Sequence, residues 1–129
     1  MQPSFEALQL SPALTAVVHD LGYTRPTPIQ IEAIPALLAG RDVIGRSQTG
    51  SGKTAAFALP LLQRLDPRGR GPQALVLAPT RELAMQTARA VHKYGRHMDA
   101  SVLPVYGGAP MNQQIRALHR GVHVVVGTP

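Results

Sequence analysis

The octapeptide Ser47-Gln48-Thr49-Gly50-Ser51-Gly52-Lys53-Thr54 limits what this chain can become more than any other stretch. Before it, Asp42-Val43-Ile44-Gly45-Arg46 has the short apolar centre of a buried strand, and after it Ala55-Ala56-Phe57-Ala58-Leu59 is helix-prone. Strand, small-residue loop and helix in that order let backbone N–H groups turn inward around phosphates. Small residues permit the close approach, and a helix starting near Lys53 adds unpaired N–H groups and the positive end of its dipole. In such a loop Lys53 reaches the β- and γ-phosphates and the Thr54 hydroxyl ligates Mg2+. The usual pattern opens on Gly, whereas Ser47 stands there here. The competing reading is an ordinary Gly/Ser turn ahead of a helix that contains Lys-Thr.

The remaining chain alternates helices and strands. Ser11-Pro12 starts a helix carrying Leu14, Val17, Val18 and Leu21, which Gly22 ends. Thr27-Pro28 starts a second with Ile29, Ala33, Ile34, Leu37 and Leu38, which Pro35 should kink or split and Gly40 closes. A helix follows the small-residue loop to about Leu65, and Asp66 to Pro72 reads as a mobile, basic linker. Ala74 to Ala78 is expected as a buried strand, and the next helix as one with Leu83, Thr87, Ala88 and Val91 on one face. A strand from Ser101 to Tyr106, a helix around Asn112 to His119 and a strand from Val122 to Val126 complete the series. The fold class is therefore α/β, with right-handed crossovers and a mostly parallel sheet of four strands covered on both faces.

Ligands of such sheets gather at the carboxyl ends of the strands. Here those ends are the Ser47–Thr54 loop, Pro79-Thr80-Arg81, Gly107-Gly108 and Gly127-Thr128-Pro129. None holds a carboxylate apart from Glu82, just inside a helix, so the groups that would hold Mg2+ and position an attacking water are not in these residues.

Thirteen Lys and Arg against seven Asp and Glu give a net charge of +6, which favours a polyanionic partner or describes an ordinary solvated basic surface. No cysteine is present, which excludes disulfides and thiolate metal sites and fits a cytoplasmic protein. Met1-Gln2-Pro3-Ser4-Phe5-Glu6 lacks the pattern of a secretory signal, and the apolar run from Ala55 to Leu62 is too short to span a bilayer. The histidines at 19, 92, 97, 119 and 123 read as surface residues rather than a metal site.

Taken together, these stretches resemble the DEAD-box family of ATP-dependent RNA helicases over the whole chain. Gly22 to Gln30 looks like the Q motif, with Phe5 as its upstream aromatic, and Ser47 to Thr54 is similar to motif I. Pro79-Thr80-Arg81-Glu82-Leu83-Ala84 resembles motif Ia, Gly107-Gly108 the GG motif, and Thr128-Pro129 the first half of a Thr-Pro-Gly-Arg motif. The resemblance implies a three-layer P-loop NTPase (RecA-like) domain. Residues 1–40 would be its Q-motif region and 41–129 the start of its core, the chain ending before the Asp-Glu-Ala-Asp strand.

By the same resemblance, Gln30 would read adenine N6 and N7, with Tyr23 stacked on the base and Arg25 covering it. Ser47, Gln48, Thr49, Gly50, Ser51, Gly52, Lys53 and Thr54 would hold the phosphates, Lys53 and Thr54 being the catalytic members. Pro79, Thr80, Arg81, Gly107, Gly108, Thr128 and Pro129 would grip RNA sugar and phosphate with little sequence preference. ATP, Mg2+, RNA and a second RecA-like domain that supplies an arginine finger are the implied cofactors and partners, with no membrane involved. Blander readings compete: Tyr23 as an apolar plug under the first helix, Gln30 as a solvated helix residue, Gly107-Gly108 as a tight turn. Arg81 as a mere surface charge would sit unfavourably at a helix start, which argues for a phosphate partner. An RNA clamp that binds nucleotide without productive unwinding remains the alternative function. A small-molecule P-loop kinase leaves Pro79 to Ala84 unexplained. The 129-residue chain alone is expected to bind nucleotide without turning it over.

Overall fold

The computed structural model describes residues 4–129; Met1-Gln2-Pro3, part of the segment read for a signal, lie outside them. The chain forms two compact units, one running to Arg64 and including Tyr94–Met98, the other comprising Leu65–Lys93 and Asp99–Pro129.

In the first unit, Ser11 is extended and Pro12 opens α1 (Pro12–Asp20), whose Leu14, Val17 and Val18 are fully buried, as their spacing anticipates. The helix closes through paired bonds from Gly22 N–H to the His19 carbonyl and from Tyr23 N–H to that of Val18, at 3.0 and 2.9 Å. This pairing is a Schellman turn, and it fixes the direction in which Tyr23 leaves the helix. Pro28 opens α2 (Pro28–Leu38). The expected break at Pro35 does not occur. One proline removes a single ladder bond, and Ala39 N–H still reaches the Pro35 carbonyl at 3.0 Å, so the helix runs through. It packs its Ala33 and Ile34 against α3 (Lys53–Gln63), which carries Pro60 in the same way.

The segment 42–46 is not a strand. It is unpaired, with Ile44 95% exposed. A strand needs a neighbour for its ladder bonds, and every strand among the described residues belongs to the other unit. Two polar ties brace this unit. Gln63 accepts from Ser11 N–H at 2.7 Å and donates to the Gln9 carbonyl at 3.0 Å. Asp20 receives Arg96 at 3.0 Å and His97 at 2.9 Å, and the His97 bond first, then Arg96, holds its carboxyl below the usual range.

The second unit is built on a three-stranded parallel sheet, β1 (Ala74–Leu77), β3 (Val124–Gly127) and β2 (Val102–Val105), in that spatial order. β3 is central, with Val124 and Val126 buried. The sheet is parallel as expected but smaller and less covered: Leu75 and Leu77 of β1 are 67% and 62% exposed, so β1 is not a buried strand. In α4 (Arg81–Tyr94) the inward face is Ala84, Ala88 and Val91. Leu83 is exposed because it lies one position off that repeat. α5 (Met111–Arg120) precedes β3.

The segment 66–72 is tied rather than loose. Gln73 accepts from Asp66 N–H and donates to its carbonyl, both at 2.7 Å, and the His123 ring reaches the Pro67 carbonyl at 3.0 Å. Among the described residues no helix is long and apolar enough to cross a membrane.

Gln63 satisfies the helix-starting Ser11 N–H from 52 residues away. Gln63→Ala should therefore lower stability by about 1–3 kcal/mol in urea unfolding. A loss near zero would mean that water replaces the amide without cost.

Candidate functional site

The turn ending α1 delivers Tyr23, and the extended Thr27 caps α2, which brings Gln30 to the third helical position. Gln30 is only 3% exposed, so it is not a solvated helix residue. Its Oε1 accepts from Thr27 N–H at 2.9 Å and its Nε2 donates to the Gly52 carbonyl at 3.1 Å. An amide has two acceptor sites and two N–H groups, so one of each is still available to a ligand. The return contact of the capping box, onto the Thr27 hydroxyl, is too loose to count as a hydrogen bond. Thr27 Oγ1 and Ser51 Oγ are both buried without a partner.

The loop itself turns on two left-handed residues, Gly50 at φ +84° and Gly52 at φ +89°, and Gly52 caps α3. A Cβ on Gly52 would collide with the Gln30 amide and stand 3.0 Å from Thr27 Oγ1. Lys53 Nζ reaches back across the loop to the Ser47 carbonyl at 2.6 Å, and Ser51 N–H bonds the Gln48 carbonyl at 3.2 Å. Thr49 is exposed beside them, and Thr54 stands in the first turn of α3.

Between the loop and α2 lies a cleft of about 230 Å³. Tyr23, Arg25, Thr27, Gln30, Gly50 and Gly52 line it, together with Phe5, Ala55 and Tyr94. Tyr23 is half-buried on its wall, which is not the place of a plug beneath α1. The Tyr23 and Tyr94 hydroxyls are 3.0 Å apart and their rings 6.3 Å, tilted by 57°. Burial first, then the bond to Tyr23, pushes the Tyr94 phenol well above its ordinary value, so Tyr94 stays neutral. The donor set suits a nucleotide. It offers an apolar wall for a base, one free edge of a buried amide, the orphaned Thr27 hydroxyl and a small-residue loop ending at a helix start.

In the other unit, the register pairs Leu77 and Val105 with Gly127, so the three strands end level. Pro79-Thr80-Arg81, Gly107-Gly108 and Thr128-Pro129 therefore follow along one edge of the sheet. Thr128 N–H bonds the Val105 carbonyl at 3.2 Å, and Thr80 Oγ1 caps α4 through Leu83 N–H at 3.2 Å. Pro79, Thr80, Arg81, Gly107, Gly108 and Pro129 are exposed and Thr128 is partly so.

Sequence reasoning missed Tyr94 and Ala55 in the cleft and Tyr106 at the sheet edge. Tyr94 closes a helix 71 residues after its partner Tyr23, and no local pattern announces such a pair.

The family model described as "DEAD/DEAH box helicase" matches residues 27–129. ATP-dependent RNA helicase DeaD of Escherichia coli (strain K12) is 54% identical over 129 residues, which cover 99% of this chain and 20% of that protein. DEAD-box ATP-dependent RNA helicase CshA of Bacillus cereus is 49% identical over 126 residues, 98% of this chain and 24% of its own. A DEAD box protein from Methanococcus jannaschii superposes with a TM-score of 0.92 at 36% identity, over 98% of this chain and 34% of that one. Saccharomyces cerevisiae Dbp5, solved bound to RNA and ADP BeF3, gives 0.87 at 39% identity, with 98% and 32% covered. The chain spans about a fifth to a quarter of the length of the two helicases matched by sequence.

Gly52→Ala combines a left-handed backbone with a clash against Gln30. It should destabilise the chain by at least about 1–2 kcal/mol, read by thermal unfolding. An unchanged midpoint would show that the loop and α2 are not locked together.

Proposed function

Because the chain belongs to the DEAD/DEAH box helicase family and has its RecA-like α/β fold, we propose that it is the ATP-binding and RNA-contacting part of an ATP-dependent RNA helicase. That enzyme couples ATP hydrolysis to unwinding or remodelling of RNA duplexes. The observation that carries this reading is the buried Gln30 amide, bonded to the Gly52 carbonyl of the loop Ser47–Thr54 and lining the cleft with Tyr23 and Arg25.

Adenine offers adjacent donor and acceptor atoms, and the remaining N–H and lone pair of Gln30 complement them. Tyr23 supplies a face for the base and Arg25 a cover. Backbone N–H groups of residues 47–54 and the start of α3 attract the phosphates. Lys53, now on the Ser47 carbonyl, would turn to phosphate oxygens, and Thr54 would help to hold Mg2+, which would supply charge neutralisation. Catalysis of phosphoryl transfer is positioning plus electrostatics, and the edge loops of the sheet bring no carboxylate to position water. A second RecA-like domain supplies what is lacking, including the arginine finger. Residues 1–40 act as the Q-motif region and 41–129 as the start of the core. Pro79, Thr80, Arg81, Gly107, Gly108, Thr128 and Pro129 hold RNA by its backbone. The proposed place of work is the cytoplasm, which a chain without cysteine fits.

Wild type should prefer ATP to GTP, and Gln30→Ala should lose about 1–3 kcal/mol of ATP affinity, measured by titration with ATP, ADP and GTP. Equal affinity of wild type for ATP and GTP contradicts the base-reading role.

ATP turnover by the 129-residue chain should stay at background. Full-length protein should turn over ATP when RNA is added and lose this in Lys53→Ala. RNA-stimulated turnover by the short chain, abolished in Lys53→Ala, would show that the catalytic groups lie within it. No turnover by the full-length protein would favour a clamp that binds without unwinding.

A further inference from the structure

Arg81 is exposed at the start of α4, where a cation opposes the helix dipole, and a long side chain there has every reason to wander. The surrounding residues restrain it. Its guanidinium carbon stands 5.9 Å from the centroid of the Tyr106 ring, within cation–π range. Tyr106 is itself held at the backbone by Gln114 of α5, whose Oε1 accepts from Tyr106 N–H at 3.1 Å. The Gln114 Nε2 donates to the carbonyls of Tyr106 and Ala109, both at 3.4 Å, so one amide brackets the whole turn after β2. Gly108, in that turn, has φ +87°, and a Cβ there would press to 3.2 Å on the Arg81 Nη1. The turn after β2 therefore meets the guanidinium at two points, the Tyr106 ring and Gly108, and Gln114 of α5 holds that turn from behind.

We propose that Tyr106, anchored by Gln114, is a positioning residue that presents the Arg81 guanidinium to an RNA phosphate at the carboxyl edge of the sheet, with Gly108 keeping the space open. The proposal rests on the reading of Arg81 as an RNA contact. A guanidinium already held beside an aromatic face keeps its donor edge free for a phosphate and has less freedom to lose on binding.

The test uses full-length protein, single-stranded RNA and a salt series. Arg81→Ala should weaken RNA binding about ten-fold and make the plot of log affinity against log salt shallower by about 0.7. Tyr106→Leu should reproduce most of both changes, Tyr106→Phe should reproduce neither, and Arg81→Ala with Tyr106→Leu should be no weaker than Arg81→Ala alone. A merely structural Tyr106 would lower the melting temperature without changing the salt slope. Additive losses in the double variant, or wild-type binding by Tyr106→Leu, overturn the proposal. A readout without RNA separates it from the reading beneath it. In protein labelled at arginine, the Arg81 Nε–H resonance should be ring-shifted, keep that shift in Tyr106→Phe and lose it in Tyr106→Leu. Should Tyr106→Leu fail to fold, Gly108→Ala takes its place: it should move the resonance and flatten the salt slope, and no change in either overturns the proposal. If Arg81→Ala binds RNA like wild type while the resonance behaves as expected, the RNA reading fails and the restraint stands.

Discussion

The bond from the Gln30 side chain to the Gly52 carbonyl ties the start of α2 to the start of α3, two helices that also pack along their lengths. Gln30 belongs to a helix begun by Thr27-Pro28, and Gly52 to a loop whose shape depends on left-handed backbone. A buried amide must find partners or carry the cost of desolvation, roughly 1–3 kcal/mol. The capping contact to Thr27 and the bond to Gly52 meet that demand together. The start of α2 and the loop Ser47–Thr54 therefore hold each other across the cleft that they line.

Local signals were legible wherever one segment decides its own conformation. The proline-led starts of α1 and α2, the burial of Leu14, Val17 and Val18, and the helix after the small-residue loop all follow from spacing and caps. Segment 42–46 shows the limit: Val43-Ile44 has a strand's composition, yet composition cannot supply a neighbour. Leu83 shows another, since an apolar residue near the right repeat joined the expected face while Ala84 took the position. Pro35 was weighed as a breaker, although a helix with a packed face absorbs one missing bond.

The proposed phosphate loop and edge residues stand out in the sequence because glycine, lysine and threonine recur there at short spacing. Their supports do not. Tyr94 behind Tyr23 and Gln114 behind Tyr106 act across long or irregular separations, and their types are ordinary for a helix.

His123 shows how the sheet is joined to the chain entering it. Its Nδ1 accepts from Ser101 N–H at 2.9 Å, so the ring proton lies on Nε2 and is given to the Pro67 carbonyl. Its backbone carbonyl accepts from Gln73 N–H at 2.8 Å, and its own N–H reaches the Ser101 carbonyl at 3.0 Å. One residue thus links the approach to β1, the approach to β2 and the central strand through both main chain and side chain. In mechanical terms this is a load path. Tension arriving along the chain before β1 meets the His123 ring and main chain before it reaches the first rung between β1 and β3.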